Sequence, residues 1–324
     1  MRWRNVLFGG GAAAIAGAAA YNALAKRDVP ELENLIGGDE RWFGWRGWQV
    51  AYTVRGRGPA VLFVHGIHAA ASSFEWRSNV DPLAESHPVY TIDLLGFGMS
   101  DRPALRYSAR LYYNLISDFA RQMIGAPCVL VATSLSAAFA AVLGARDPER
   151  FPALVLIEPT GLTRLATPSD AGGEIARLAL DLPVFGTSVF NALVSRPSLR
   201  YYLERVYADH DLVTDELIDA YYQSAHQPGA RFAPAAFVAQ QLNIDIRSAM
   251  RQLHQPVLLV WGEQALEVPV EDAYRFRRLK PDLELVVLDP AGSLPHDERP
   301  DEFNEAVREF VERVADGDPP QAGG

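Results

Sequence analysis

Residues Val129–Ala141 read VLVATSLSAAFAA, an apolar run that stops at Thr133-Ser134-Leu135 and continues at once into an alanine-rich helical stretch. A serine between a buried strand and a helix, with a small residue two positions away on each side, is typical of a nucleophile elbow. The flanks must be small because strand and helix nearly collide at the turn, and here Ala132 and Ser136 stand in place of the usual glycines. The alternative interpretation is an ordinary strand–helix turn with a serine cap.

Short, continuously apolar segments alternate with helical patterns along most of the chain. Strands of this kind are buried on both faces, so the alternation predicts an α/β fold with a mostly parallel sheet covered by helices on both sides. Besides the segment quoted above, the strands are expected within Ala60–Ile67 (AVLFVHGI), Val89–Ser100 (VYTIDLLGFGMS), Ala153–Glu158, Pro256–Gly262 and Glu284–Leu288.

Several ordered motifs make the chain similar to the α/β-hydrolase superfamily of the cap-containing type. They are the turn His65-Gly66, the segment Asp93–Pro103 (DLLGFGMSDRP), Ser134, the pair Trp261-Gly262, and Gly292–Pro300 (GSLPHDERP). The resemblance covers roughly residues 46–314 and implies that a helical cap is inserted into the sheet domain. Fold alone does not establish an activity.

The pattern of the chain divides it into four parts. Residues 40–162 and 254–315 are expected to form the sheet domain, and residues 163–253 the helical cap. Residues 1–27 are an apolar N-terminal segment, and residues 316–324 are expected to be a disordered tail. Helices are expected in the cap at Ala171–Leu182, Ser188–Arg196, Leu199–Tyr207, Asp215–Ser224 and Pro234–Ile246.

The catalytic triad of the superfamily is degenerate at two positions. The resemblance puts the acid at the third residue after Gly262, which is Ala265, and the histidine base directly after Gly292, which is Ser293. A serine hydroxyl needs an imidazole to take its proton, and the imidazole needs a carboxylate to orient it. Loss of the base costs on the order of 10⁶-fold in turnover, or about 8 kcal/mol.

Other residues are therefore candidates for the missing roles. His296 lies in the loop of Ser293 and is the candidate base, although a histidine is found there in relatives with a complete triad. Glu158, at the end of a strand, is the candidate acid, since some members of the superfamily carry their acid there; otherwise it caps the following turn. The backbone N–H groups of Ile67 and Leu135 are the expected oxyanion hole.

Composition excludes several classes of function. Forty acidic against thirty basic residues give a net charge of −10, which argues against nucleic acid as a partner. Cys128 is the only cysteine, so neither a disulfide framework nor a cysteine-based metal site is available. We expect no metal and no cofactor.

The N-terminus suggests a location. Val6–Ala25 carries no charged residue and is flanked by Arg2, Arg4 and the pair Lys26-Arg27. Its length suits a single membrane-anchoring helix. A cleaved secretory signal, which would leave a secreted or periplasmic protein, and a short buried helix are the alternatives.

Two functions remain open on this sequence. One is a membrane-associated serine hydrolase that acts on an apolar ester or related small substrate, with Ser134 as nucleophile and a non-standard base and acid. The other is a non-catalytic protein of the same fold that binds a lipid-like ligand or a protein partner.

Overall fold

A computed structural model describes residues 15–317 of the chain. Within this range an eight-stranded sheet has the order β1-β2-β4-β3-β5-β6-β7-β8. The six strands β4, β3, β5, β6, β7 and β8 run parallel to one another, whereas β1 and β2 add an antiparallel edge. The mostly parallel sheet expected from the sequence is thus confirmed. The strands are β1 Asp39–Trp45, β2 Trp48–Arg55, β3 Ala60–Val64, β4 Val89–Ile92, β5 Cys128–Thr133, β6 Leu154–Ile157, β7 Val257–Gly262 and β8 Glu284–Leu288.

Helices fill the connections between the strands. Residues 15–25 form the described part of an N-terminal helix, α1. The others are α2 Val80–Ala84, α3 Ala109–Phe119, α4 Ser134–Arg146, α5 Ala171–Asp181, α6 Phe185–Leu193, α7 Arg196–Val206, α8 Asp215–Ala225, α9 Phe232–Val238, α10 Arg247–Gln252, α11 Glu271–Leu279, α12 Pro295–Glu298 and α13 Pro300–Asp316.

Both faces of the sheet are buried, which explains why its strands lack alternating polarity. In β3, Leu62 packs into the core on one face and Phe63 into the core on the other. The same division separates Leu130 and Val131 in β5. Because side chains alternate across a strand, a sheet covered on both sides needs apolar residues at every position.

Six helices, α5 to α10, lie between β6 and β7, and we call residues 163–253 the insertion. The helix expected over Pro234–Ile246 differs from the structure, because α9 ends at Val238. The chain that follows it bonds to the segment entering the insertion: Ile244 N–H donates to the carbonyl of Leu165, and Ile246 N–H to that of Gly161. These bonds between two connecting segments replace the helical ones.

Helix α1 is docked on the insertion. The side-chain amide of Asn22 donates to the carbonyl of Val184, and its oxygen accepts from Ser188 and Asn191 at 3.0 and 3.1 Å. The Tyr222 hydroxyl donates to the carbonyl of Ala25 at 2.7 Å. The N-terminal segment is therefore tied to α6 and α8 by polar contacts.

Two expectations about the chain ends lie partly outside the described residues. Residues 6–14 of the expected anchor lie outside the described range. Within residues 15–317 no helix is long and apolar enough to cross a membrane. Of the expected tail, Asp316 is the last residue of α13 and Gly317 caps that helix in a left-handed conformation, while residues 318–324 are outside the described range.

Candidate active site

Ser134 stands at the turn between β5 and α4 with a backbone φ of +53°. Non-glycine residues adopt this left-handed conformation at a cost, and such residues cluster at functional sites. Ala132 and Ser136 on either side are fully buried, so a larger residue at these flanks would meet the surrounding core. The Ser134 side chain is half-buried, and within residues 15–317 its hydroxyl makes no hydrogen bond.

The loop after β3 is fixed against the serine turn. The Leu94 N–H donates to Nε2 of His65, so the Nδ1 proton is available for the carbonyl of Gly66 at 2.6 Å. The Ser136 hydroxyl donates to the carbonyl of His65 at 2.6 Å. Ser136 thus does more than replace a glycine, because it connects α4 to the loop that carries Ile67.

The two expected oxyanion donors lie on these two fixed segments. Ile67 lines a cavity together with Ser134. Leu135 is in the first turn of α4, where an N–H has no helical carbonyl to bind. Both groups therefore keep their hydrogen-bonding capacity for a ligand oxygen.

The cavity has a volume of about 710 Å³ and lies between the sheet domain and the insertion. Its walls from the insertion are mostly apolar and include Leu199, Phe237 and Val238. The end near Ser134 is polar, with Glu158 and Ser293 among the lining residues. A cavity of this size accommodates a small amphiphilic molecule.

Glu158 and Ser293 meet at the polar end. Glu158 follows β6 with a backbone φ of +43°, is 2 % exposed, and accepts the N–H of Gly262 at 3.0 Å through Oε1. Burial raises the pKa of Glu158 well above its usual range, although hydrogen bonds from Gly262 and the Ser293 hydroxyl oppose this shift. The raised pKa leaves Glu158 a neutral acid over a range in which an ordinary carboxyl is charged.

Close packing brings Ser293 to this place. A Cβ atom on Gly262 would lie 1.9 Å from the carbonyl oxygen of Gly292, so only glycine lets the end of β7 approach the loop. The Ser293 N–H donates to the carbonyl of Val206 at 2.7 Å, which ties the loop to α7. Ala265 is also buried, but it is not among the residues that line the cavity.

His296 is not among the lining residues either, because it is fully buried beneath the site. Its Nε2 lies 3.3 Å from Oε1 of Glu75, and its ring packs 4.8 Å from that of Trp76. Ser134 and Glu158 thus share the cavity, and His296 faces a different carboxylate.

Glu75 is a polar residue of the site that the sequence analysis does not identify. It lines the cavity, is 6 % exposed, and accepts the N–H of Gly66 at 2.7 Å. Burial alone raises its pKa, but the hydrogen bond and charge of His296 outweigh burial and hold the pKa below the usual range. No motif marks Glu75, since its role depends on a histidine more than two hundred residues away.

His68 also lines the cavity and is its only lining histidine among residues 15–317. Its ring stacks on Tyr221 with 5.4 Å between centroids, and burial lowers its pKa to about 4. The Ala70 N–H points at Nδ1 at 3.3 Å, so the proton of the neutral ring is on Nε2. His68 is therefore a weak base whose second nitrogen is already protonated.

One carboxylate from the segment after β7 pairs with two arginines of the insertion. Glu267 lies 3.1 Å from Arg164 and 3.7 Å from Arg205, and all three line the cavity. These side chains are about half exposed, so each ion pair contributes little to stability. Glu267 is thus neutralised within the wall, unlike Glu158.

Comparison with known proteins agrees with this geometry. Residues 61–306 match the family model described as the alpha/beta hydrolase family. A 2-hydroxy-6-oxo-6-(2'-aminophenyl)hexa-2,4-dienoic acid hydrolase of Metapseudomonas resinovorans is 26% identical over 286 residues, which are 86% of this chain and 92% of that protein. A 2-(acetamidomethylene)succinate hydrolase of Mesorhizobium japonicum is 27% identical over 266 residues, 80% of this chain and 90% of that protein.

Solved structures support the fold. A serine hydrolase involved in carbazole degradation superposes with a TM-score of 0.71 at 24% identity, covering 85% of this chain and 99% of that one. A bacterial membrane phospholipase A superposes with a TM-score of 0.70 at 22% identity, covering 96% of this chain and 97% of that one.

Proposed function

The chain belongs to the alpha/beta hydrolase family, and from this premise we propose that it hydrolyses an ester or related bond of an apolar small substrate at a membrane surface. In this proposal Ser134 is the nucleophile and the N–H groups of Ile67 and Leu135 bind the oxyanion. The observation that carries it is the unpartnered Ser134 hydroxyl, which a left-handed turn presents to a large cavity. The left-handed backbone conformation of Ser134 costs conformational free energy, and residues held in such conformations cluster at functional sites.

Glu158 is the acid–base carboxyl of the proposed reaction. As the Ser134 oxygen bonds to the carbonyl carbon, its proton leaves towards the polar end of the cavity, where Glu158 and Ser293 lie. Burial raises the pKa of Glu158, so its carboxylate is a stronger base than that of an ordinary glutamate, and its protonated form can return the proton later in the reaction. We assign His296 an indirect role as a positioning residue, acting through Glu75.

The substrate is expected to be mostly apolar. Three residues of the insertion, Leu199, Phe237 and Val238, provide an apolar wall opposite Ser134. The dienoic acid hydrolase named above acts, by its name, on an acid with an aminophenyl group, which is compatible with an apolar pocket. The net charge of −10 gives no support for a nucleic-acid substrate.

We propose membrane association through the N-terminal segment. Val6–Ala25 is uncharged, and its C-terminal part docks on the insertion through Asn22. A membrane at the N-terminus would thus lie near the elements that line the cavity. The protein expressed in its own host should stay with membranes after a high-salt wash, and deletion of residues 1–25 should release it. A mature N-terminus at Tyr21 or Lys26 would instead establish a cleaved signal.

Labelling of Ser134 tests the hydrolase. A fluorophosphonate probe should label the wild-type protein slowly, since no imidazole activates the hydroxyl, and Ser134→Ala should abolish the labelling. Ser198→Ala removes another hydroxyl of the same cavity and is the matched control, which should still be labelled. Hydrolysis of p-nitrophenyl esters of increasing chain length should favour longer acyl chains.

A second candidate is a non-catalytic protein that binds a lipid-like ligand in the same cavity. It is favoured by the one lining histidine, His68, whose low pKa and Nε2 proton make it unfit as a base. Saturable binding of a fluorescent fatty acid, with neither labelling nor turnover at Ser134, would support this candidate against the hydrolase.

A further inference from the structure

The polar end of the cavity holds oxygen atoms without hydrogen-bond partners. Thr160 lines the cavity, is 4 % exposed, and its hydroxyl has no hydrogen-bond partner among residues 15–317. The Ser134 hydroxyl, which opens into the same space, has none within the described residues. Buried polar groups in proteins are nearly always paired, so the buried Thr160 hydroxyl indicates a ligand that binds it, and the half-buried Ser134 hydroxyl is free to bind the same ligand.

Within residues 15–317 the carboxyl at this end has no basic side chain beside it, unlike the two other carboxyls of the cavity. Glu75 faces His296, and Glu267 faces Arg164 and Arg205. No arginine, lysine or histidine in residues 15–317 forms an ion pair with Glu158, which is 2 % exposed. The Gly262 N–H donates to this buried carboxyl, but a buried carboxylate without a positive partner is costly, so Glu158 is suited to receive a further N–H donor from outside the chain.

The protein supplies no nitrogen base at this place. His296 is fully buried against Glu75 and Trp76. His68 is stacked on Tyr221 with its Nδ1 facing the Ala70 N–H. The loop residue beside Glu158 is Ser293, whose short side chain leaves the space open.

We propose that the space between Glu158 and Ser134 binds an uncharged nitrogen base, an imidazole or amine group carried by the acyl part of the substrate. The proposal rests on the proposed function and deepens it by naming the substrate class. Such a nitrogen supplies an N–H that donates to the Glu158 carboxylate beside that of Gly262, and a lone pair that takes the Ser134 proton. The cavity volume of about 710 Å³ leaves room for an apolar chain beside it.

In this reaction the nitrogen of the substrate is the base that contacts Ser134, and Glu158 acts through that nitrogen. The nitrogen lone pair takes the Ser134 proton as the serine oxygen bonds to the carbonyl carbon, and the carbonyl electron pair moves onto oxygen, facing the Ile67 and Leu135 N–H groups. The protonated nitrogen, stabilised by the Glu158 carboxylate, gives its proton to the leaving alkoxide as the carbon–oxygen bond breaks. Water hydrolyses the acyl-enzyme by the same transfers and restores Ser134.

Free imidazole is a direct probe of this site. With p-nitrophenyl butyrate as substrate and the rate of Ser134→Ala subtracted, added imidazole should raise wild-type hydrolysis saturably by about 10- to 100-fold. 1-Methylimidazole is a base of similar strength but has no N–H for Glu158, so it should give little acceleration. Equal, non-saturating acceleration by both compounds would overturn the proposal, because it would mean catalysis by bulk base.

Variants locate the effect. Glu158→Gln should abolish the imidazole response, whereas Glu267→Gln, which alters a paired carboxylate of the same cavity, should keep it. Ser293→His should fill the space with an attached imidazole, raise the rate without added imidazole, and remove the response to it. If Glu158→Gln fails to fold, the comparison of imidazole with 1-methylimidazole on the wild-type protein still tests the proposal.

Because binding is measured separately from turnover, the nitrogen-base site and the Ser134 hydrolase can each be refuted without refuting the other. Saturation-transfer NMR should detect imidazole bound to the wild-type protein and not to Glu158→Gln or Ser293→His. Ser134-dependent hydrolysis without imidazole binding would overturn the nitrogen-base site and leave the hydrolase standing. Imidazole binding that needs Glu158, with Ser134 inert to the probe under all conditions, would retain the site and overturn the hydrolase.

Discussion

Nε2 of His296 lies 3.3 Å from Oε1 of Glu75, and the two side chains are 0 % and 6 % exposed. The pair connects the loop of Ser293 to the 3₁₀ turn at Ser73–Trp76, which follows the loop of Ile67. The two side chains therefore contact each other inside the protein, away from solvent. This contact means that the one histidine of the late loop is committed to holding a carboxylate.

Breaking this pair should destabilise the protein. His296→Gln leaves Glu75 buried without its partner, which costs about 3 kcal/mol of unfolding free energy. The pKa of folded Glu75 lies below its unfolded value of about 4.3, so its stabilisation is present above that pH and is lost as the pH falls through the folded value. Urea unfolding from pH 7 to pH 3 should show a larger acid-dependent loss in the wild type than in Glu75→Gln, in which the other carboxyls still titrate. Equal acid dependence in both would contradict the assignment.

Glu158 should behave in the opposite way. Its folded pKa is raised by burial, so the folded protein binds a proton that the unfolded chain releases near pH 4.3. The wild type therefore loses stability as the pH rises from that value to the folded pKa. Glu158→Gln keeps a neutral side chain at every pH and should be more stable than the wild type at pH 8, with the difference shrinking towards pH 4. A melting-temperature difference that does not vary with pH would refute a neutral buried carboxyl.

The docking of α1 depends on one amide. Asn22→Leu leaves the Val184 carbonyl and the Asn191 side chain without their partner, at a cost of about 1–3 kcal/mol. Helix α1 should then detach, and trypsin should cleave after Lys26 or Arg27 faster than in the wild type. Arg27→Gln alters an exposed neighbour of α1 and is the control for the helix position, with cleavage followed after Lys26. Unchanged cleavage of Asn22→Leu would show that other contacts hold the helix.

The sheet could be predicted from the sequence because burial on both faces leaves a local signal. Apolar runs such as Val257–Gly262 need no knowledge of their neighbours to be identified as strands. The end of α9 could not be predicted, because the bond from Ile244 to Leu165 joins segments almost eighty residues apart. Local patterns favour a continuing helix there, and tertiary hydrogen bonds end it.

The site was predictable to the extent that it depends on motifs. The turn at Ser134 and the loop at His65-Gly66 are local features of the sequence. The contact between Glu158 and Ser293 and the pairing of Glu75 with His296 are set by how separate loops pack, so sequence spacing does not reveal them. The His296 ring packs against Trp76, a residue distant in the sequence, so its orientation is also set by tertiary packing.

Restoring the base should need one substitution and not two. From the sequence, both Ser293→His and Ala265→Asp are required, because the usual acid position is Ala265. In the structure Glu158 already contacts the residue at position 293, while Ala265 does not line the cavity. An imidazole at position 293 would therefore find its carboxylate in Glu158, which would hold the tautomer that accepts the Ser134 proton.

We expect Ser293→His to raise p-nitrophenyl butyrate hydrolysis by about 10²- to 10⁴-fold, with Ala265→Asp adding little. Glu158→Gln in the Ser293→His background should remove most of the gain, because the imidazole loses its orienting carboxylate. Burial of a new aspartate at position 265 also costs stability, so melting temperatures must accompany the rates. A gain that appears only with Ala265→Asp, and that survives Glu158→Gln, would place the acid at position 265 and leave Glu158 as a structural carboxyl.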